Sequence, residues 1–252
     1  MTDKIEIIKA PDSIKPYAII YKPAGLPSAP LSLEDKNNAF WQAAKLFPEL
    51  LNVQGRKEIE HGLLHRLDTA TNGLLIIAAT QECYDFLMNE QKEGRIIKKY
   101  CAECDIISSL SQTRSLSQTR SLSLSKGETF TIQSYFRPYG PGRKEVRPVL
   151  PDSSQTILKK VEKRVLYTTQ IEIKSTDKNK NTALVECTIT NGYRHQVRSH
   201  LAFCGLPVKG DLIYNPSLKN KSTEAMKFCA TELSFEYPRG DLNSYDRKDT
   251  WT

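Results

Sequence analysis

Three stretches of this chain alternate apolar and polar residues with the period of a β-strand, and that pattern constrains the fold most. From Ile96 to Ile107, the residues Ile96, Tyr100, Ala102, Cys104 and Ile106 share one face. Val165 to Lys174 alternates in the same way. So does Thr182 to Thr190, which turns Ala183, Val185, Cys187 and Ile189 inward. Tyr17 to Tyr21 reads as a short buried strand, Leu74 to Ala79 as an apolar run of strand length, and Thr231, Leu233, Phe235 and Tyr237 as a last strand.

Helices are fewer. Asn38 to Phe47 reads as one, with Asn38 as N-cap and Pro48 as the stop. Thr80 caps a second, whose apolar side carries Tyr84, Leu87 and Met88 and which Gly94 ends. Arg194 to Cys204 is a third, with Val197, Leu201 and Cys204 on its buried stripe and Gly205 and Pro207 after it. Many strands and few helices predict an α+β fold built on a mostly antiparallel mixed sheet, flanked by helices and loops.

The 36 basic and 29 acidic side chains leave a formal charge of +7, which suits a polyanionic partner because Lys and Arg displace counterions from phosphates. No apolar run approaches the roughly 18 residues of a membrane span, and the N-terminus carries no apolar signal core, so a cytoplasmic protein is expected. The six cysteines have no spacing of a disulfide framework. Cys101 and Cys104 form a C-x-x-C, but strand alternation sends them to opposite faces, and no second pair or His cluster completes a zinc site. No metal is expected.

Two segments stand apart. The unit Ser-Leu-Ser-Gln-Thr-Arg occurs twice within residues 109–125, a low-complexity stretch that predicts a flexible insertion without a catalytic role. Phe136 to Pro148 reads as a loop mixing Arg137, Arg143, Lys144 and Arg147 with Phe136 and Tyr139. Such a loop either holds phosphates and stacks bases or is an ordinary solvated loop.

The chemistry centres on His65-Arg66-Leu67-Asp68-Thr69-Ala70-Thr71-Asn72-Gly73. Apolar residues lie on either side of a polar turn containing Asn72-Gly73, a favoured turn dipeptide. Asp68 therefore falls at a strand end or loop. There it either caps a turn or is displayed for chemistry.

His65 to Asp68, followed by Thr71-Asn72-Gly73-Leu74-Leu75, resembles the active-site motif of the RluA-type pseudouridine synthases. Four more segments follow the family's order: Lys22-Pro23-Ala24-Gly25-Leu26, Lys98-Lys99-Tyr100-Cys101-Ala102, Gly192 to Leu201, and Gly205 to Asp211 with Tyr214. The resemblance runs from about Tyr17 to Tyr237. It departs from the family at Asn72, where Ser is common, and at Tyr193, which stands in place of an Arg with Arg194 next to it.

The resemblance implies that uridines in structured RNA, ribosomal or transfer, are isomerised to pseudouridine. It implies neither metal nor organic cofactor. Asp68 is the implied nucleophile, attacking either the sugar or the base. Arg198 is the implied cation that keeps Asp68 charged. Tyr100 is the implied partner that stacks on uracil and helps remove the C5 proton. Arg66 matches the residue that fills the space of a flipped nucleotide. His65 supports the loop, Lys98 and Arg194 join Arg66 and His65 as expected RNA-binding residues, and His195 and His200 are packing or hydrogen-bonding residues. The whole chain is expected to be a single catalytic domain acting as a monomer. No S4-type RNA-binding domain is expected, since the Lys-Pro-x-Gly segment begins near residue 22. A glycoside hydrolase would need a second carboxylate paired with Asp68, and Glu60 and Asp211 are not paired with it by the sequence. An inactive RNA-binding relative is the remaining alternative, although Asp68, Tyr100 and Arg198 are all present.

Overall fold

The computed structural model describes residues 4–107, 124–218, 224–238 and 241–247. The repeat insertion, apart from its last two residues, lies outside them. In chain order the elements are β1 (Glu6–Lys9), β2 (Tyr17–Lys22), α1 (Ala39–Leu46), β3 (Asn72–Ala78), α2 (Gln81–Lys92), β4 (Ile97–Asp105), β5 (Thr129–Tyr139), β6 (Glu145–Val149), α3 (Gln155–Leu158), β7 (Tyr167–Asp177), β8 (Thr182–Ile189), α4 (Gln196–Phe203), β9 (Phe228–Tyr237) and β10 (Asp241–Asp246). The fold is α+β with a mixed, mostly antiparallel arrangement of strands, as the alternation predicts. The chain divides into two compact units, residues 1–99 with 229–252 and residues 100–228.

The first unit has the strand order β1-β2-β3-β9, with β10 on β9. All its pairs are antiparallel except β3 with β9. β3 is buried from Gly73 to Ala78, so its apolar run has no solvated face. Its alternate residues Leu74, Ile76 and Ala78 join Tyr17 and Ile19 of β2, Cys83, Tyr84 and Leu87 of α2, and Leu233 and Phe235 of β9 in one core. Thr80 caps α2 by accepting from the Cys83 amide at 3.3 Å, and Asn38 caps α1 by accepting from the Trp41 amide at 3.0 Å. Pro48 ends α1 and opens a 3-10 turn over Pro48–Asn52.

The second unit has the order β4-β8-β7-β5-β6. β4 shows the expected alternation, burying Tyr100, Ala102 and Cys104 and leaving Cys101 half-exposed. All six cysteines are free thiols.

Three expectations are corrected. Residues Phe136 to Pro148 are not a loop. They are the facing ends of β5 and β6, paired from Tyr135↔Val149 to Tyr139↔Glu145. The inward positions of β5 include Ser134, a polar residue that interrupts the apolar pattern, and β6 carries Pro148, which suits its edge position. The strand ending at Tyr237 is not the last, because β10 follows it with a sequence too polar to signal a strand. The dipeptide Asn72-Gly73 is not the turn but the start of β3, paired with Cys229 and Ala230.

Gly73 is needed there for space. Its φ is +134°, and a Cβ would lie 2.3 Å from the Ala230 carbonyl oxygen. Gly73→Ala is therefore expected to lower the unfolding free energy by about 3 kcal/mol or more. Urea denaturation measures this, and a loss below about 1 kcal/mol would contradict the close approach.

Candidate active site

The polar turn of the first unit closes when the Thr71 amide donates to the main-chain oxygen of Asp68 at 2.9 Å. Two side chains from the Lys-Pro segment fix the turn from behind. The Ser28 hydroxyl donates to the Leu67 carbonyl at 2.8 Å and accepts from the Leu67 amide at 2.9 Å. Lys22, fully buried, donates from Nζ to the carbonyls of Pro23 at 2.9 Å, Leu26 at 2.8 Å and Thr69 at 3.3 Å. The Gly25 amide also donates to Thr69 at 2.8 Å. The residue before Asp68 and the residue after it are thus both anchored.

Burial pushes the Lys22 ammonium down to about 8, and the negative charge of Asp68 acts against that shift. Lys22 is a cation next to the Asp68 turn that the sequence marks as part of a motif without giving it a role. Its signal is the Lys-Pro pair directly after a buried strand.

The other expected residues of this unit occupy different environments. Arg66 is exposed and pairs with Glu60 at 3.1 Å. Both ring nitrogens of His65 are buried without a hydrogen-bond partner among the described residues. Lys98 is buried and donates to Gln91 Oε1 at 2.7 Å, while Gln91 donates to the Leu64 carbonyl at 3.4 Å. Lys98 therefore stands behind the start of the turn, not on a surface. Burial, and then the charge of Arg56, lower its pKa to about 8.

In the second unit, α4 begins later than expected. His195 takes a left-handed conformation at φ 55°, so Arg194 lies outside the helix. The reason is Gln196. Its side chain accepts from the Tyr193 amide at 3.0 Å and donates to the Thr168 carbonyl at 2.9 Å, which turns the chain sharply into the helix. Arg198 is buried, and Asp211 binds it through two parallel hydrogen bonds, Nε to Oδ2 and Nη2 to Oδ1, each 2.8 Å. Asp211 Oδ1 also accepts from the amides of Ile213 and Tyr214 at 2.9 and 3.2 Å. The guanidinium lies 5.3 Å from the Tyr214 ring centroid. Asp211, which the sequence places at the end of a motif segment without giving it a partner, is the residue that orients Arg198.

His200, further along α4, bridges Thr169 Oγ1 through Nδ1 at 2.8 Å and Ser134 Oγ through Nε2 at 2.9 Å. Tyr100 is buried on β4, with its ring stacked on Phe228 at 5.3 Å. Tyr193 stacks on Phe136 at 4.9 Å and its hydroxyl bonds Glu162. Arg194 is exposed and donates to the main-chain oxygens of Arg143 at 2.7 Å and Glu145 at 3.3 Å.

The sequence model of the family described as RNA pseudouridylate synthase matches residues 16–203. The chain belongs to that family and is of its RluA type. It is 26% identical over 178 residues to an uncharacterized RNA pseudouridine synthase, YlyB, of Bacillus subtilis (strain 168), covering 71% of this chain and 48% of the relative. It is 27% identical over 220 residues to an uncharacterized RNA pseudouridine synthase of Chloroflexus aurantiacus, covering 86% and 58%. It is 24% identical over 230 residues to the dual-specificity RNA pseudouridine synthase RluA of Vibrio parahaemolyticus, covering 87% and 74%. The chain thus spans about half the length of the first two of these relatives. In fold it is similar to human RNA Pseudouridylate Synthase Domain Containing 1, with a TM-score of 0.66 at 18% identity over 99% of this chain and 85% of the other.

The buried polar groups set how stability responds to pH and to substitution. Burial holds His200 neutral by lowering its pKa to about 3, and burial followed by the charge of Lys98 moves His65 well below its usual range. The unfolded chain takes up these protons near pH 6.5, so stability is complete above that pH and is lost as pH falls below it. The slope is about 1.4 kcal/mol per pH unit for each histidine. Urea titrations between pH 6.5 and 5 should show it, and His200→Gln should remove about half of it; an unchanged slope in that variant would refute the assignment. Lys22→Met, which takes the Lys22 donor from the Pro23 and Leu26 carbonyls and leaves Thr69 with the Gly25 amide alone, should cost about 3 kcal/mol in the same assay.

Proposed function

We propose that this chain is an RNA pseudouridine synthase that isomerises specific uridines in structured ribosomal or transfer RNA. In this reading it acts as a cytoplasmic monomer, with its two compact units serving as one catalytic domain. The observation that carries the reading is the Asp68 turn, whose flanking residues are anchored by Ser28 and Lys22 within the motif order of the family. A nucleophile has to hold one position through bond breaking and bond making, and a turn fixed on both sides meets that requirement.

In the reaction the bond from ribose C1′ to uracil N1 breaks, the uracil turns, and C1′ bonds to C5. The C5 proton is then lost and N1 gains a proton, so the product is an isomer and no oxidant or co-substrate is consumed. Asp68 attacks as the carboxylate, at C1′ or on the base. Arg198 supplies the positive charge that favours that ionised form, and the two bonds from Asp211 hold its guanidinium in one plane. Tyr100 packs against the uracil and assists removal of the C5 proton. Arg66, exposed and two residues before Asp68, takes the space of the extruded nucleotide, and Arg194 contributes positive charge where the RNA lies. His65 and Lys98 act through the turn they support.

The second reading, an RNA-binding protein of the same fold without catalysis, makes the opposite forecast in one assay. RNA incubated with the protein is digested and its nucleosides are separated. The active reading expects pseudouridine, and Asp68→Ala lowers its rate of formation by about 10⁴-fold or more. Full activity in that variant would remove Asp68 from the chemistry, and no product from the unaltered protein on any tested RNA would favour the binding-only reading.

A further inference from the structure

The hairpin of β5 and β6 has a chemistry that the catalytic reading does not use. Its two faces differ sharply. Phe136 and Val146 point inward and pack with Tyr167, Tyr193 and Tyr214. The outward side and tip carry Arg137, Arg143, Lys144 and Arg147 against one carboxylate of the hairpin, Glu145. Arg147 lies 3.3 Å and Arg137 4.9 Å from the ring centroid of Tyr139. Tyr139 thereby lines up two guanidinium groups that the register already places opposite each other, Arg137↔Arg147. Glu145 lies 3.6 Å from Arg147 and Glu162 3.9 Å from Arg143, so two carboxylates face four cations and the hairpin keeps a net positive charge that favours an anion. The side chains of Arg143 and Arg147 are 70% and 48% exposed, so an incoming polyanion can reach both.

The hairpin is also bolted to the helix that carries Arg198. The Val146 amide donates to the Tyr214 hydroxyl at 2.9 Å, and the Ser199 hydroxyl donates to the Val146 carbonyl at 2.8 Å. Arg194, just before the helix, clasps the tip through the carbonyls of Arg143 and Glu145. The tip itself turns through Gly140, Gly142 and Arg143, all with positive φ. Beside it opens a cavity of about 340 Å³ whose lining includes Arg143, Glu162, Tyr193 and Arg194.

We propose that this hairpin is a second RNA contact, a phosphate-binding arm in which Arg143, Lys144, Arg147 and Arg137 engage the backbone of the substrate RNA away from the reacting uridine. The occupant is RNA because the arm offers planar, fork-shaped donors in a row, a match for successive phosphates. The Ser199 bond from α4 and the Tyr214 bond give the arm a fixed position relative to Arg198, so an RNA seated on it is held in one register with the helix. The identity of the RNA as substrate rests on the proposed synthase activity, while the arm itself does not.

The test is the salt dependence of binding to a fluorescein-labelled RNA stem-loop with uridines in its loop, followed by anisotropy. Removing one cation that binds a phosphate lowers the slope of log affinity against log salt by about one. The double variant R143A/R147A is expected to lose about two units of slope and to bind roughly tenfold more weakly near physiological salt. R143Q/K144Q, which leaves the Tyr139 face untouched, should lose a similar slope and guards against a packing defect. Lys178→Ala removes one exposed charge from the β7–β8 turn of the same unit and should leave the slope unchanged. The proposal is overturned if both double variants keep the unaltered slope, if K178A lowers it as much, or if the unaltered protein does not bind the RNA. Pseudouridine formation on the same RNA separates the two ideas. Product with an unchanged slope in the variants sinks the arm alone, and a lowered slope without product sinks the synthase reading alone.

Discussion

Lys22 carries an ammonium into a fully buried site, and the turn that holds Asp68 is arranged around it. A buried charge is costly unless its hydrogens are satisfied. Here three carbonyl oxygens from two separate segments do so. Neither segment has regular structure of its own, so each would be floppy without the other. The ammonium makes them one object, and Ser28 adds a second clamp directly at Leu67. The nearby Asp68 charge offsets part of the burial cost of the Lys22 ammonium.

The second unit solves a similar problem with a different cation. Arg198 projects from a helix whose exposed side is nearly absent, since Gln196, Val197, Arg198, Ser199, His200 and Leu201 are all buried. A helix so enclosed can keep its polar residues only if each finds a partner. Gln196 bonds Thr168 and Thr169, Ser199 bonds Val146, His200 bonds Ser134 and Thr169, and Arg198 bonds Asp211. Replacing Arg198 by an apolar residue would leave Asp211 with its bonds from the Ile213 and Tyr214 amides but no cation, and replacing Asp211 would take both carboxylate bonds from Arg198. The pair therefore fixes orientation more surely than it adds stability.

What the sequence reveals follows from what period and motif can encode. The strands β4, β7 and β8 are visible because most of their buried positions are apolar, with Lys98, Thr169 and Thr182 as the exceptions. β5 is hidden because Ser134 occupies one inward position, and that serine is there to meet His200. β10 is hidden because its residues are mostly polar. The start of β3 reads as a turn because Asn-Gly usually marks one. Only the neighbouring strand reveals that Gly73 serves close approach to Ala230. The site residues are legible as a motif order, but their supports are not. Asp211 and Ser28 gain their meaning from partners 13 and 39 residues away, and no local pattern announces such pairs.

The substitution at Tyr193 shows how a departure from a motif can be absorbed by the fold. An Arg in that place would need water or an anion beside it, yet here the position stacks on Phe136 and lies against Tyr167. An aromatic ring fills that space without a charge to satisfy, and its hydroxyl finds Glu162. The guanidinium one residue later ties the hairpin tip through two carbonyls. The pair Tyr193-Arg194 thus divides two tasks between neighbours: the ring closes the core beneath the hairpin, and the cation holds its tip. Because both residues immediately precede α4, a shift of the hairpin would pull on the turn at His195, and with it on the helix that presents Arg198.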